Sequence, residues 1–347
     1  YSGILGASTV PGRISLQVWE KWVNAHGGIA GHSVQVITAD DGGDPARHLA
    51  IVKDMVENRK VIAFVGNLDP ITIQASQHYL EEKGVPVVGG DITTHNWWES
   101  KAFFPQGTFI DDVVLRAVSE GVKTGKTKLG VLYCVENPLC KQANDLLRSG
   151  AAQKVGATMV YSSQITVTQP DFTAECLQAA SAGANLFLVL ADPPTVGRVA
   201  NSCSQQNFRP QYVLASLSSD LRLAANQNLD GTIAILPDFP WMATDTPAAQ
   251  EFQKARQAYA PDLEGSAAVV SVWTSGKLLE RAAAAIGATP ASADIVRGLR
   301  AMSAETVGGL APPLDFTQER AARQSCGFLI RIQSKAWVAP KGSQVVC

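Results

Sequence analysis

The chain has 347 residues, of which 46% are hydrophobic and 17% are charged, so it is long enough to form two hydrophobic cores. Its formal net charge of −2 and its pI near 6.2 give no basic surface of the kind that binds nucleic acid or an anionic membrane. No apolar run approaches the ~20 residues of a membrane-spanning helix. These properties indicate a globular protein of two domains and exclude nucleic acid as a partner.

The first forty residues predict a strand, a helix, a glycine turn and a second strand. Ile4 and Leu5 read as the end of a strand, and apolar residues at helical spacing over 14–25 predict the helix. Gly27 and Gly28 supply the positive φ that ends a helix, and 34–39 predicts the second strand. The chain shows no basic and apolar leader before this unit, so we interpret it as mature or trimmed, without its targeting segment.

Strand-like and helix-like segments then alternate to about residue 240, which predicts parallel sheets with helices on both faces. The predicted strands are 34–39, 61–65, 85–88, 129–133, 158–161, 186–190, 212–215 and 232–236. The predicted helices between them are 45–58, 71–83, 111–123, 139–155, 172–182 and 195–206. Later segments predict helices at 248–259, 266–286 and 292–302, followed by strands at 327–332 and 337–338.

Three aromatic segments that are broken by proline or glycine, at 103–112, 235–241 and 308–316, predict three crossings between two lobes. The first lobe would then contain 1–112 and 241–309. The second lobe would contain 113–240 and 310–347. The predicted fold class is α/β, with two Rossmann-like lobes, parallel sheets and a three-stranded hinge.

All six cysteines fall in the predicted second lobe, which favours disulfides and therefore an oxidising compartment. The favoured pairs are Cys134–Cys140, Cys176–Cys203 and Cys326–Cys347. Buried thiols in a cytosolic protein remain the alternative. A zinc site is disfavoured because the chain has no Cys-x-x-Cys pair.

The sequence shows no catalytic constellation. It contains no Gly-x-Ser-x-Gly nucleophile elbow, and none of its five histidines forms a close ligand pair. The expectation is a protein that is not an enzyme and that uses neither a cofactor nor a metal.

Five segments, in order along nearly the whole chain, resemble the leucine/isoleucine/valine-type solute-binding proteins of ABC importers. They are 23–32 (VNAHGGIAGH), 61–67 (VIAFVGN), 81–91 (EEKGVPVVGGD), 128–133 (KLGVLY) and 312–316 (PPLDF). The resemblance implies the periplasmic binding protein type I fold, with three hinge strands and a ligand cleft between the lobes. It also implies export across the inner membrane.

In this family, loops at the carboxyl ends of the strands hold the ligand. The matching residues of the first lobe are Asn67, Asp69, Pro70, Asp91, Thr93 and Thr94. Those of the second lobe are Tyr133, Glu136, Asp192 and Ser218, and Trp241 lies near the hinge. Relatives that bind amino acids hold the α-carboxylate with hydroxyls and amides, a role that Thr93 and the backbone of Asp91 fit.

Asp69 and Asp91 depart from that pattern, because two carboxylates would repel an anion at the same place. Either their side chains contact a different kind of ligand, or they cap the helices that follow. Tryptophans such as Trp241 either contact the ligand or fill the packing between elements.

The resulting prediction is an extracytoplasmic receptor that delivers a small organic ligand to an ABC permease. The ligand would resemble a hydrophobic or branched-chain amino acid or an aromatic carboxylate. The chain would be a monomer, periplasmic or extracellular, with a lipid anchor as one option. The alternative is a ligand-sensing regulator or receptor domain of the same fold.

Overall fold

Strands and helices alternate along most of the chain, as the hydrophobic pattern predicts. The computed structural model describes residues 6–347, so the predicted strand that includes Ile4 and Leu5 lies outside the described residues. The chain divides into two compact units. Unit 1 comprises Tyr1–Phe109, Ala243–Glu264 and Ala268–Gln324, and unit 2 comprises Ile110–Met242, Gly265–Ala267 and Ser325–Cys347.

The elements follow one another in the predicted order. Unit 1 begins with α1 (Gly6–Ala25), α2 (Pro45–Glu57), β1 (Phe64–Asn67), α3 (Gln77–Lys83), β2 (Val87–Gly90), α4 (Asn96–Glu99) and β3 (Phe103–Phe104). Unit 2 continues with α5 (Ile110–Val122), β4 (Lys128–Cys134), α6 (Pro138–Leu146), α7 (Ala152–Lys154), β5 (Thr158–Ile165), α8 (Thr173–Ser181), β6 (Leu186–Leu190), α9 (Pro193–Gln205), β7 (Gln211–Leu214) and β8 (Ile233–Leu236). Unit 1 resumes with α10 (Pro247–Tyr259), α11 (Ala267–Ala282) and α12 (Ser292–Arg300), and unit 2 ends with β9 (Gly327–Gln333), β10 (Ala336–Val338) and β11 (Val345–Val346).

Unit 1 contains a parallel sheet in the order β1-β2-β3, in which Phe64 is opposite Val87 and Val87 is opposite Phe103. The predicted strand at 34–39 is wrong, because this segment is extended but pairs with no strand of the described chain. Side chains of α1 take up its backbone groups instead. Asn24 bonds both the N–H and the carbonyl of Val34, each at 2.8 Å, and Glu20 accepts from the Val36 N–H at 2.9 Å.

Unit 2 is built on a larger sheet in the order β10-β9-β8-β7-β6-β4-β5, with β11 also paired to β9. Strands β4 to β8 are mutually parallel where they pair, whereas β9 runs antiparallel to β8. All five residues of β6 are buried, which explains the unbroken apolar run Leu-Phe-Leu-Val-Leu. The carboxyl ends of the parallel strands therefore meet at one edge of this sheet.

Helix starts in both units use a polar cap followed by proline at the first helical position, a combination that satisfies free N–H groups and presets φ. The four capping residues of this kind are Asp44 before α2, Asn137 before α6, Asp192 before α9 and Thr246 before α10. In the turn that follows the carboxyl end of α1, Gly28 adopts φ +74°, and a Cβ at this position would lie 1.9 Å from the His32 carbonyl oxygen. The predicted glycine turn is therefore required by the fold.

The predicted single helix at 139–155 is interrupted. It consists of α6, a π-helical turn over Leu147–Ala151 and the short α7. Gly150 in the π turn has φ +104°, a conformation that breaks α-helical continuity. The hydrophobic period alone could not predict this change, because a π turn of five residues is too short to show a period of its own.

The predicted assignment of 310–347 to the second lobe needs a correction, since 310–324 groups with unit 1. Phe316 packs edge-on against Phe104 with ring centroids 5.4 Å apart, and its N–H donates to the Met302 carbonyl at 3.1 Å. Arg300 donates to the Phe316 carbonyl at 3.2 Å. The chain passes between the units at 324/325 rather than after residue 309, and residues 265–267 also group with unit 2.

The predicted disulfide pairs are confirmed: Cys134–Cys140, Cys176–Cys203 and Cys326–Cys347 are all bonded. All six cysteines belong to unit 2. Across residues 6–347 we find no helix whose length and hydropathy would allow it to span a bilayer.

Candidate functional site

The loops that follow β1 and β2 meet at the carboxyl edge of the unit 1 sheet. The Asp91 N–H donates to the Asn67 carbonyl at 2.9 Å, which continues the β1–β2 pairing for one more residue. Gly90 makes this approach possible, because a Cβ at that position would lie 2.0 Å from the Asn67 carbonyl oxygen. The sequence Gly-Gly-Asp thus places the Asp91 carboxyl directly beside the loop after β1.

Gln106 fixes the end of β2 from the other side. Its Nε2 donates to the Gly90 carbonyl, and its Oε1 accepts from the Gly90 N–H, both at 2.9 Å. The side chain is fully buried, so its amide acts as the neighbouring strand that Gly90 would otherwise lack. Gln106 therefore sets the direction of the backbone that enters the Asp91 loop.

The Asp91 carboxylate organises both loops of unit 1. One oxygen accepts from the Thr93 N–H at 3.0 Å and from the Thr93 hydroxyl at 2.8 Å, and the other accepts from the Asp69 N–H at 3.0 Å. The helix that follows, α4, starts after His95 without a side-chain cap. The Asp91 side chain thus ties the two loops together and does not cap that helix.

Thr93 and Thr94 are buried in the same loop, with 2% and 5% of their surface exposed. The Thr93 hydroxyl is engaged by Asp91, whereas the Thr94 hydroxyl has no hydrogen-bond partner among the described residues. Between them and Asp91, Ile92 has φ +46°, which a β-branched residue adopts only under strain. The loop is therefore held in a costly conformation by its surroundings.

Asp69 is the least satisfied group of this site. Its Oδ2 lies 3.4 Å from Asn67 Nδ2 and 3.5 Å from His48 Nδ1, both of which are long contacts. Its Oδ1 is shielded from solvent and has no hydrogen-bond partner in the described part of the chain. The helical turn that follows Asp69 is capped by its carbonyl, which accepts from Thr72 and Ile73, and not by its carboxyl.

His48 and Asp41 form the outer part of the same network. His48 Nδ1 lies 2.9 Å from Asp41 Oδ2, and Nε2 lies 3.0 Å from the Ser76 hydroxyl. Thr72 donates to the same Asp41 oxygen at 2.5 Å. The Ser76 hydroxyl also lies 3.1 Å from the Ile73 carbonyl oxygen, so its one proton serves either that carbonyl or His48 Nε2. A neutral imidazole whose Nδ1–H donates to Asp41 fits the arrangement in which Ser76 donates to Nε2.

The carboxyl groups of this network have opposite protonation tendencies. Burial, together with the charges of Asp91 and Asp41, raises the pKa of Asp69 well above its ordinary value. Burial also raises the pKa of Asp91, although the Thr93 and Asp69 donors oppose that shift. Burial opposes ionisation of Asp41 too, but the hydrogen bonds from Thr72, Gly43 and His48 hold its pKa below the usual value.

Burial disfavours the charged form of His48 as well, but for an imidazole this lowers the pKa instead of raising it. The nearby Asp41 only partly offsets that effect. These shifts favour the neutral form of His48 and the ionised form of Asp41, and they let the Asp69–Asp91 pair keep a proton to a higher pH than a free aspartate would.

A cavity of about 510 Å³ opens at this network. Apolar side chains of α1, α2, α11 and β1 line most of it, and the extended segment 33–39 lines one wall. The polar residues of its lining are Asp41, His48, Asn67 and Asp69, together with His32, Ser33, Gln35, Thr38 and the cationic Arg59 and Lys60. Among the described residues, no group of three or more His, Cys, Asp or Glu is arranged to hold a metal ion.

In unit 2, Tyr133 lies near the carboxyl end of β4, Glu136 follows that strand, and Asp192 follows β6. Tyr133 packs partly buried against the sheet core, and Asp192 caps α9 by accepting from the Thr195 N–H at 3.3 Å. Glu136 accepts from the Val167 N–H at 2.9 Å. Asp192 is therefore a helix cap, a role that neither the Asp69 nor the Asp91 side chain has.

The backbone of Val167 joins two of these loops. Its N–H is held by Glu136, and its carbonyl accepts from the Arg198 guanidinium at 2.5 Å. Both charged side chains keep one shielded atom without a partner among the described residues, Oε2 of Glu136 and Nε of Arg198. Unit 2 therefore offers an acceptor and a donor at the carboxyl edge of its own sheet.

The two remaining candidates of unit 2 are buried. Ser218 lies in a 3₁₀ turn, is 4% exposed, and donates its N–H to the Ala215 carbonyl at 3.1 Å. Trp241 packs edge-on against Trp337 with ring centroids 5.8 Å apart, and a Cβ at Gly265 would collide with its indole. In unit 2, Trp241 thus fills packing space, and Pro70 in unit 1 remains half-buried beside Asp69.

His48, Asp41 and Arg198 are the site residues that sequence reasoning missed. A signal for His48 was present, because it lies at helical spacing with Val52 and Met55 on the buried face of α2. A histidine on an apolar face needs a partner, and Asp41 is the nearest upstream carboxylate that follows an extended segment. Arg198 carried no comparable signal.

Comparisons with known proteins agree with this architecture. The sequence model of the family described as periplasmic binding protein matches residues 1–336. The chain is 20% identical to the Leu/Ile/Val-binding protein of Escherichia coli (strain K12) over 301 residues, which cover 83% of this chain and 77% of that protein.

Two solved structures illustrate the similarity in fold. A branched chain amino acid ABC transporter from Thermus thermophilus with bound valine has a TM-score of 0.82 at 15% identity, and the match covers 98% of this chain and 93% of that chain. A solute-binding protein of an ABC transporter from R. palustris in complex with benzoate has a TM-score of 0.76 at 16% identity, and the match covers 100% and 95%.

Proposed function

Because the chain belongs to the periplasmic binding protein family, we propose that it captures a small organic solute outside the cytoplasm and delivers it to the permease of an ABC importer. The observation that carries this proposal is the family match over residues 1–336. The three disulfides support an oxidising, extracytoplasmic location. The role is to bind a substrate and not to convert it.

The solute belongs to the classes that similar proteins hold, which are branched-chain or hydrophobic amino acids and aromatic carboxylates. Valine and benzoate are the ligands named for two proteins of similar fold. The loops at the carboxyl ends of the strands in each unit supply the polar contacts to the solute. We also propose that the solute binds in a cleft between the two lobes, as the sequence predicts. Asn67, Asp69, Asp91 and Thr93 of unit 1 are its best-organised contact set.

The test is a thermal-shift screen of the full chain against hydrophobic amino acids and aromatic carboxylates, followed by titration calorimetry of each compound that raises the melting temperature. A cognate solute at 100 times its Kd should stabilise the folded chain by about 2.7 kcal/mol. If no compound of either class stabilises the protein, the proposed solute classes are wrong.

Transport and signalling are separated by an uptake experiment. Cells that lack this chain should lose uptake of the radiolabelled solute, and uptake should return when the chain is supplied again. Unchanged uptake together with altered gene expression would instead favour the ligand-sensing regulator or receptor of the same fold. Cell fractionation would locate the chain and reveal any lipid anchor, and light scattering should report a monomer.

A further inference from the structure

Asp69 and Asp91 form a shielded carboxyl pair that makes no ion pair with a lysine or an arginine in the described part of the chain. The ion-pair contact of Asp69 is the 3.5 Å approach of His48. Burial lowers the pKa of that histidine, so it contributes little positive charge at neutral pH. The nearby Asp41 adds further negative charge. The site is therefore electrostatically incomplete.

The hydrogen-bonding capacity of the site is incomplete as well. Asp69 Oδ1 has neither solvent nor a partner in the described part of the chain, and Asp69 lines the 510 Å³ cavity. The neighbouring Thr94 is 5% exposed, and its hydroxyl is also without a partner there. Buried polar atoms of this kind are rare and call for a missing partner. A ligand group rich in N–H donors would satisfy Asp69.

We propose that Asp69 and Asp91 bind a positively charged ammonium group of the solute. This inference rests on the proposed function and deepens it by naming the chemical group that unit 1 recognises. It narrows the proposed classes to solutes that carry an ammonium group and removes simple aromatic carboxylates from them. An ammonium group has three donors and no acceptor, which suits two carboxyl groups. A solute carboxylate in the same place would meet like charge. A metal ion is a poorer match, because these side chains are not arranged as a metal site.

Binding is then coupled to a proton. The raised pKa of Asp69 means that the empty pair retains a proton at a pH where a free aspartate is ionised. The titratable groups that face Asp69 are Asp91, Asp41 and His48. Hydrogen bonds hold the pKa of Asp41 below its usual value, and burial lowers the pKa of His48, so neither shift brings these two groups closer to titrating near neutral pH. An incoming ammonium takes the place of the proton, which is released. The Kd should fall by up to about tenfold per pH unit until the pair is ionised, and then level off.

The experiment uses matched compounds that differ in charge and little in shape. Titration calorimetry of the full chain would compare 3-methylbutylamine with 3-methylbutanoate and benzylamine with benzoate, and would include L-leucine. We expect the amines and leucine to bind and the two simple acids to fail. Two buffers of different ionisation enthalpy would report the released proton directly on the unmodified protein.

Asp69→Asn keeps the shape of the side chain and removes its charge. It should weaken amine binding by roughly tenfold to a hundredfold, the range expected for a hydrogen bond to a charged group. It should also reduce the pH dependence, of which Asp91 alone would then remain the source. Asp262→Asn is the matched control, because Asp262 is exposed in unit 1 and lies outside the lining of the cavity. That variant should bind like the unmodified chain.

Two results would overturn the inference and leave the receptor function intact. One is binding of the acids without binding of the amines. The other is amine binding with the same measured enthalpy in both buffers, which would mean that no proton is released. Failure of all five compounds to bind would reject both the ammonium site and the proposed solute classes. The buffer comparison remains decisive even if Asp69→Asn does not fold.

Discussion

The amide of Gln106 offers a sharp test of how the unit 1 loops are held. In Gln106→Met the shape of the side chain is nearly kept, so little cost should arise from packing. The Gly90 N–H and carbonyl would both lose their partner, because each is bonded to the Gln106 amide at 2.9 Å. A buried polar group left without a partner costs about 1–3 kcal/mol, so the two groups together predict a loss of about 2–6 kcal/mol.

The measurement is urea unfolding of the full chain, followed by circular dichroism and tryptophan fluorescence. Gln17→Met is the matched control, since Gln17 is exposed on α1 and such surface changes usually stay within about 0.5 kcal/mol. A loss below about 1 kcal/mol for Gln106→Met would refute the role of Gln106 as a substitute for a neighbouring strand. A change in solute affinity at unchanged stability would point the same way.

Three further predictions concern the disulfides and the carboxyl pair. Replacing Cys176 and Cys203 by alanine should lower the free energy of unfolding by roughly 3–4 kcal/mol, because this disulfide closes a loop of 27 residues. Replacing Cys134 and Cys140 should lower it by only about 2 kcal/mol, because that loop spans 6 residues. Equal losses in denaturant titrations would contradict this explanation from chain entropy. Asp69→Asn should make the empty protein more stable at neutral pH, and the gain should vanish in acid. The reason is that the pKa of Asp69 is higher in the folded protein than in the unfolded chain. Such a carboxyl group lowers the free energy of unfolding as the pH rises from the unfolded pKa to the folded pKa, and it has no effect below both. Thr93→Val should weaken solute binding about tenfold and destabilise the empty protein by roughly 1 kcal/mol, since its hydroxyl donates to buried Asp91; unchanged calorimetric affinity would remove Thr93 from the site.

Periodicity was sufficient to predict nearly all elements of unit 2. Strand β6 and helix α5 were foreseen within a residue at each end, because apolar runs and helical stripes are local signals that the sheet then buries. The disulfide pairs were also foreseen, since each joins neighbouring elements. The π turn at Leu147–Ala151 was not foreseen, because its hydrogen bonds leave no mark on hydrophobic spacing.

Unit 1 was less predictable, because pairing partners decide its structure. The segment 34–39 has the alternation of a strand, yet Asn24 and Glu20 occupy part of its backbone. The aspartates of the site were singled out as departures from the family pattern, but the tie between Asp91 and the Asp69 N–H is a tertiary contact. The link from His48 to Asp41 depends on the same kind of long-range placement.

The confinement of all three disulfides to unit 2 has a practical consequence for labelling. Unit 1 contains no cysteine, and the six cysteines of unit 2 are all bonded to one another. A single cysteine introduced on an exposed face of unit 1, such as Gln17→Cys on α1, would therefore be the one thiol open to a maleimide dye. The dye would report on unit 1 alone. A reductant would break disulfides in unit 2 only, because unit 1 contains none.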